Sequence, residues 1–252
     1  MRDPRKRIAR GLLRFGEKLR YRAPAEPTAA SRFVDSDWNA WLFGVIFDQG
    51  VLAENAWEAP YLLRRRLGHF SMRRMAEMSV TELRDAVKHT RSQKALHRFT
   101  KSMPRWLKSA ACWLVSEYRG RAEAIWADCR TAAEVIARLD EFDGIGSKKA
   151  HMAAAILRDS GELAGRDFEA INVAVDVHVC RVWKRLGLVK SSNVREIHAV
   201  ASELHPKYPG ALDSPTWTVG RDWCHAHEPD CSGDGVGKPC PLQKQCRIGS
   251  RR

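Results

Sequence analysis

The sequence predicts an all-α protein, and three observations carry that prediction. Apolar residues recur near the 3.6-residue helical period in several segments. Period-2 alternation is almost absent and there is no Asn-Gly hairpin turn. Residues 147–158 are rich in Ala, Met, Ile and Leu, all compatible with a buried helix. At 252 residues the chain is long enough for one or two domains with a real core.

The elements follow in order. Residues 1–22 carry nine Lys or Arg against Asp3 and Glu17, with Ile8, Leu12, Phe15 and Leu19 at helical spacing, so a basic amphipathic helix is expected. Pro24, Pro27 and small residues make 23–36 a linker. Asp37 is placed to cap a helix from Trp38 to about Leu52. Pro60 sits near the start of the next helix, which runs to Leu67. Ser79 or Thr81 opens a short helix to Val87. Trp106, Leu107, Ala110, Ala111 and Leu114 line one face of a helix from Pro104 to about Tyr118. Residues 131–139 and 147–158 form two more. Val173, Val175, Val177 and Val179 alternate as in a strand, but Asp176 could equally cap a helix with Val179, Val182, Trp183 and Leu186 on its inner face. The residues themselves leave that choice open.

A formal charge of +13 implies a polyanionic partner, with nucleic acid first and membrane surfaces or acidic proteins behind it. No apolar run is long enough to cross a membrane, and the basic N-terminus lacks the pattern of a secretory signal. A cytoplasmic setting, in which thiols stay reduced, is therefore expected. Of seven cysteines, Cys112, Cys129 and Cys180 are scattered, whereas Cys224, Cys231, Cys240 and Cys246 crowd together and invite a metal. Their spacing lacks the short C-x2–4-C pairs of zinc sites and fits a four-cysteine iron–sulfur cluster better. Between the helices at 131–139 and 147–158, Gly144-Ile145-Gly146 forms a tight turn. Its glycines allow positive φ and close backbone approach, Ile145 can plug the core, and the next helix starts with free N–H groups suited to a phosphate.

The stretch LDEFDGIGSKKAHMAAAIL resembles the helix-hairpin-helix motif of endonuclease III-type DNA glycosylases. VAVDVHVCRVWKRLGLV is similar to their Val-Asp-Thr-His block, and GRDWC to the Gly-Arg-x-x-Cys that opens their cluster loop. The resemblance covers about residues 37–246 in the family's order. It implies a two-lobed helical fold, with a six-helix lobe at 37–172 and a second lobe combining 1–36 with 173–252. It makes Lys148 the nucleophile that attacks C1′ of a flipped nucleotide, forms a Schiff base and nicks the strand, and Asp176 the carboxylate that stabilises the positive sugar. It implies that Asp176 heads a helix. It makes Gln49, in GVIFDQGVLAEN, the residue that fills the hole left by the base, and Gly144, Ile145, Gly146, Ser147 and Lys149 DNA contacts. It implies a [4Fe–4S] cluster on Cys224, Cys231, Cys240 and Cys246, with Lys238, Lys244 and Arg247 nearby for phosphate.

The implied partner is damaged or abasic double-stranded DNA, bound by a monomer, with a modified pyrimidine as the base removed. The alternatives are a monofunctional glycosylase that uses water and a non-catalytic protein that reads damaged DNA. Six departures from the family's pattern stand out. Lys149 replaces Thr, and Phe47, Asp48 and Leu52 replace the usual Ser, Ala and Asp. The connection from Lys148 to Asp176 is lengthened, and so is the one from Cys231 to Cys240.

Overall fold

A computed structural model of the chain describes residues 3–20, 27–88 and 94–246. The backbone resolves into two compact units. The first comprises 27–88, 94–130 and 134–153; the second comprises 3–20, 131–133 and 154–246. Among the described residues every regular element is helical, and no helix is long and apolar enough to cross a membrane.

After α1 (Pro4–Arg20) and α2 (Ala29–Ser36) comes α3 (Trp38–Phe47), the pivotal helix of the first unit. Its sequence has no polar face, and every residue from Ala40 to Phe47 is buried, as a helix surrounded by others requires. Asp37 caps it, accepting from the N–H groups of Asn39 and Ala40. Gly44 lets α4 (Ala53–Leu67) pack close, because a Cβ there would lie 2.6 Å from the Trp57 ring. Trp38, Trp41 and Trp126 meet edge to face at 5.2–5.7 Å. The Asn39 side chain donates to the Gly120 carbonyl and accepts from the Ala122 N–H, tying α3 to a turn some eighty residues on.

Three expectations change here. Helix α3 stops at Phe47, not Leu52, because Asp48, Gln49 and Gly50 (φ +65) turn the chain. Helix α4 starts at Ala53, so Pro60 lies inside it. The supposed linker holds α2 (Ala29–Ser36), capped by Thr28, with Ala30 and Val34 buried one turn apart and Phe33 edge-on to Phe70. Pro24 lies outside the described residues. The unit continues with α5 (Met72–Glu77), α6 (Val80–Val87), α7 (Ser102–Glu117) and α8 (Ala124–Ala127). Ser79 opens α6 with a full capping box to Glu82. Helices α9 (Ala132–Asp140) and α10 (Ser147–Asp159) flank the glycine turn.

In the second unit α1 (Pro4–Arg20) buries Ile8, Ala9 and Leu12 and packs on α13 (Asp213–Asp222). Its opposite face exposes Arg7, Arg10, Arg14 and Lys18. The valine run forms no strand. It leads into α11 (Val177–Leu186), headed by Asp176, which buries Val179, Val182, Trp183 and Leu186 and ends at Gly187 in the left-handed region. Helix α12 (Val194–Leu204) and a 3-10 turn at Pro209–Leu212 complete the core, and the cysteine loop follows α13.

Candidate nucleic-acid site and cysteine cluster

The turn between α9 and α10 is built around two anchors. Phe142 is buried and stacks on Tyr118, with centroids 6.1 Å apart. Ile145 is buried and donates its N–H to the Phe142 carbonyl at 2.8 Å. Gly144 has φ +84, and a Cβ there would lie 3.0 Å from the Trp106 indole, so only glycine fits. Gly146 differs from expectation. It lacks a positive φ, and a Cβ there would meet nothing within 4 Å, so no packing among the described residues accounts for its being glycine. Ser147 and Lys148 are exposed beside it, in a helix turn whose first N–H groups have no intrahelical acceptor.

Lys149, one residue further, is only 6% exposed. Its Nζ donates to the Ile46 carbonyl at the end of α3, 2.9 Å away. Burial drops its pKa from 10.5 to about 8; the Asp48 carboxylate opposes the drop and the Lys148 charge adds to it. Lys149 is therefore an interior residue rather than a surface contact. Gln49 is exposed on the turn that follows α3, with its N–H donating to the Phe47 carbonyl at 2.7 Å. Phe47 is fully buried beside the His97 ring, so it is core and not pocket wall. Leu52 is 70% exposed.

Asp176 belongs to the second unit. Its Oδ1 accepts from the N–H groups of His178 and Val179, both at 2.8 Å, which is an N-cap geometry. Among the described residues Oδ2 makes no hydrogen bond, so one carboxylate oxygen is left over. From the same helix, Arg181 donates to the Gly220 and Cys224 carbonyls. Arg185 donates to the His225 and Ala226 carbonyls and to the Cys224 sulfur at 3.2 Å.

Cys224, Cys231, Cys240 and Cys246 line one small pocket, walled by Val182, Leu186, Val219, Trp223 and Leu242. Among the described residues no three Cys, His, Asp or Glu side chains close around a point for a single metal ion. A zinc ion would draw four sulfurs to 2.3 Å from one centre. A four-cysteine iron–sulfur cluster takes thiolate donors of this kind, and the pocket gathers four of them behind apolar walls. Burial pushes the Cys240 thiol up to about 12, and the three neighbouring thiols add to the effect. A cationic centre would relieve that penalty. The donor set thus fits a cluster.

The insertion between Cys231 and Cys240 folds on itself. Asp230 accepts from the N–H groups of Gly233, Asp234 and Gly235, and the Cys240 N–H donates across the base of the loop to the Cys231 carbonyl at 3.1 Å. Lys238 is exposed on this loop and Lys244 beyond Cys240, and Arg247 lies outside the described residues.

No protein-family model and no curated protein sequence matches the chain. Solved structures do. A trapped endonuclease III–DNA covalent intermediate is 21% identical with TM-score 0.66, covering 98% of each chain. A non-covalent endonuclease III–DNA complex is 21% identical with TM-score 0.66, covering 98% of this chain and 97% of that one. A thermostable thymine-DNA glycosylase is 15% identical with TM-score 0.65, covering 99% and 98%. The chain has the helix-hairpin-helix glycosylase fold. In this fold the glycine turn is the hairpin between α9 and α10; the stretch 158–170 finishes α10 at Asp159 and continues without regular structure, and 232–238 forms turns and bends. Sequence reasoning missed His97 and Arg98, which contact the Gln49 turn, and put Lys149 on the surface. The one available signal was that Lys149 stands where Thr is usual.

Proposed function

We propose that this protein is a DNA glycosylase with AP-lyase activity, acting on a damaged base, with a modified pyrimidine as the first candidate. The reading rests mainly on Lys148, an exposed amine in the first turn of α10 beside the open backbone of Gly146. The full-length likeness in fold to glycosylase–DNA complexes supports it.

The chain's residues account for the chemistry. Phosphates bind the head of α10 at Gly146 and Ser147, where N–H groups and the helix dipole favour an anion. The target nucleotide leaves the stack and Gln49 fills its place. As the glycosidic bond lengthens, positive charge grows on the sugar, and the spare oxygen of Asp176 stabilises it. The Lys148 amine bonds to C1′, the base departs with the bonding electrons and takes up a proton, and loss of the amine proton opens the sugar to a Schiff base. Removal of a C2′ proton then expels the 3′ phosphate, which nicks the strand.

Cys224, Cys231, Cys240 and Cys246 would hold a [4Fe–4S] cluster, which supplies a cross-link that fixes the loop after α13 against α11. Arg181 and Arg185 tie that loop to the helix Asp176 heads. The exposed Arg7, Arg10, Arg14 and Lys18 of α1 are placed to neutralise further phosphates. Borohydride reduction of a mixture with abasic-site duplex should give a covalent protein–DNA adduct, lost in Lys148→Ala. Absence of the adduct from the wild-type protein would refute the lyase reading. A second reading, a non-catalytic protein that recognises damaged DNA, is favoured by Leu52 standing exposed where an acidic residue is usual. It predicts tight binding to abasic duplex with no adduct.

A further inference from the structure

Three side-chain donors converge on the end of α3 and the turn after it that carries Gln49. The ammonium of Lys149 holds the Ile46 carbonyl at 2.9 Å. His97 Nε2 lies 3.0 Å from the Gln49 carbonyl. Arg98 Nη1 donates to the Gly50 carbonyl at 3.1 Å. Lys149 and His97 are both buried, 6% and 2% exposed, so neither is a casual surface contact.

The state of His97 follows from its other nitrogen. The Phe99 N–H donates to Nδ1 at 3.1 Å, so Nδ1 must be a lone pair and the proton must sit on Nε2. His97 is then a donor to the Gln49 carbonyl, and its ring is fixed between Phe47 and Phe99 at 6.1 and 5.1 Å. Burial lowers its pKa, the Gln49 carbonyl opposes this, and the Lys149 charge adds to it, so the neutral form persists at neutral pH.

We infer that His97, with Lys149 and Arg98, is a positioning residue that holds the Gln49 turn ready to occupy the gap in an opened duplex. The inference rests on the wedge role proposed above for Gln49. A residue that replaces a flipped base competes with the base returning, so a turn that had to be ordered on insertion would lose that contest. Fixing the carbonyls of residues 46, 49 and 50 in advance removes the ordering step. Two of the three donors are absent from the motifs that mark the fold, and the third, Lys149, departs from them.

The test uses duplex DNA with an abasic site and 2-aminopurine as the orphan base opposite, read by fluorescence at saturating protein. Wild type and the amide-bearing His97→Gln should both change the fluorescence. His97→Phe, which keeps an aromatic ring but removes the donor to Gln49 and the acceptor for the Phe99 N–H, should behave like Gln49→Ala, with at least a tenfold smaller change, while binding to intact duplex stays near wild type. Adduct formation should fall in His97→Phe on the duplex and recover on a single strand carrying the same abasic site, where no gap needs filling; a merely structural defect would lower both. A wild-type fluorescence response in His97→Phe overturns the inference, as does a bound wild type that leaves the probe unchanged. Fluorescence without a wild-type adduct would leave this inference standing and remove the proposed lyase chemistry instead.

Discussion

Replacing Lys149 with Met should make the protein more stable and less active. The drop of the Lys149 pKa from 10.5 to about 8 corresponds to roughly 3 kcal/mol at 1.36 kcal/mol per pH unit, the cost of keeping this ammonium inside. Met fills the space of the lysine stem and removes that cost. It also removes the donor to the Ile46 carbonyl, a loss of about 1 kcal/mol. The net gain near pH 7 is then about 2 kcal/mol, or roughly 5 °C in melting temperature for a chain of this size.

The pH dependence fixes the sign. Between about 8 and 10.5 the unfolded chain binds the Lys149 proton and the folded one does not, so wild-type stability rises with pH across that window. The advantage of Met should be full below pH 8 and gone by pH 10.5. Chemical denaturation of both proteins at pH 7 and pH 10 measures it, with adduct formation on abasic duplex in parallel. A Met variant less stable at pH 7, or a difference that does not shrink at pH 10, would refute the reasoning. A gain in stability joined to a loss on duplex DNA would show a buried charge retained for function.

Other outcomes follow from the same structure. Cys231→Ser should lose bound iron, visible absorbance and thermal stability together; stoichiometric zinc in the wild type would contradict the cluster assignment. His97 is buried and His198 half-buried, and both pKa values are lowered from 6.5 because burial disfavours their charged forms. Their contribution to stability is complete above pH 6.5 and lost as pH falls below it, so the denaturation midpoint should drop on acidification, and the His97→Gln/His198→Gln pair should flatten the curve. Among the described residues Arg7, Arg10, Arg14 and Lys18 are exposed and without ion-pair partners. Changing all four to Gln should reduce the slope of log binding constant against log salt by about 0.9 for each phosphate no longer neutralised; an unchanged slope would mean that α1 does not touch DNA.

Much of the fold was legible from local chemistry. Asp37, Ser79 and Asp176 each cap the helix expected of them, because capping depends only on the residues just downstream. The resemblance settled the valine run in favour of α11 where periodicity could not, since Val173 is buried by its surroundings rather than by a strand. What sequence could not supply were effects of distant residues. Helix α2 was hidden by the proline-rich stretch before it, and its Ala30 and Val34 acquire meaning only once they are buried. The burial of Lys149 depends on the end of α3, over a hundred residues away, and the roles of His97 and Arg98 on carbonyls that no side-chain pattern encodes. The crowding of four thiols around one apolar-walled cavity was anticipated by their clustering in sequence, although its shape was not.

The most direct measurement is the location of the covalent bond. Borohydride-reduced adduct with abasic duplex, digested and sequenced by mass spectrometry, should carry the sugar remnant on Lys148 alone, and Asp176→Asn should slow release of a damaged base far more than it slows trapping of a preformed abasic site. A remnant on Lys149 or on a lysine of α1, with Lys148→Ala still trapped at the wild-type rate, would contradict the account.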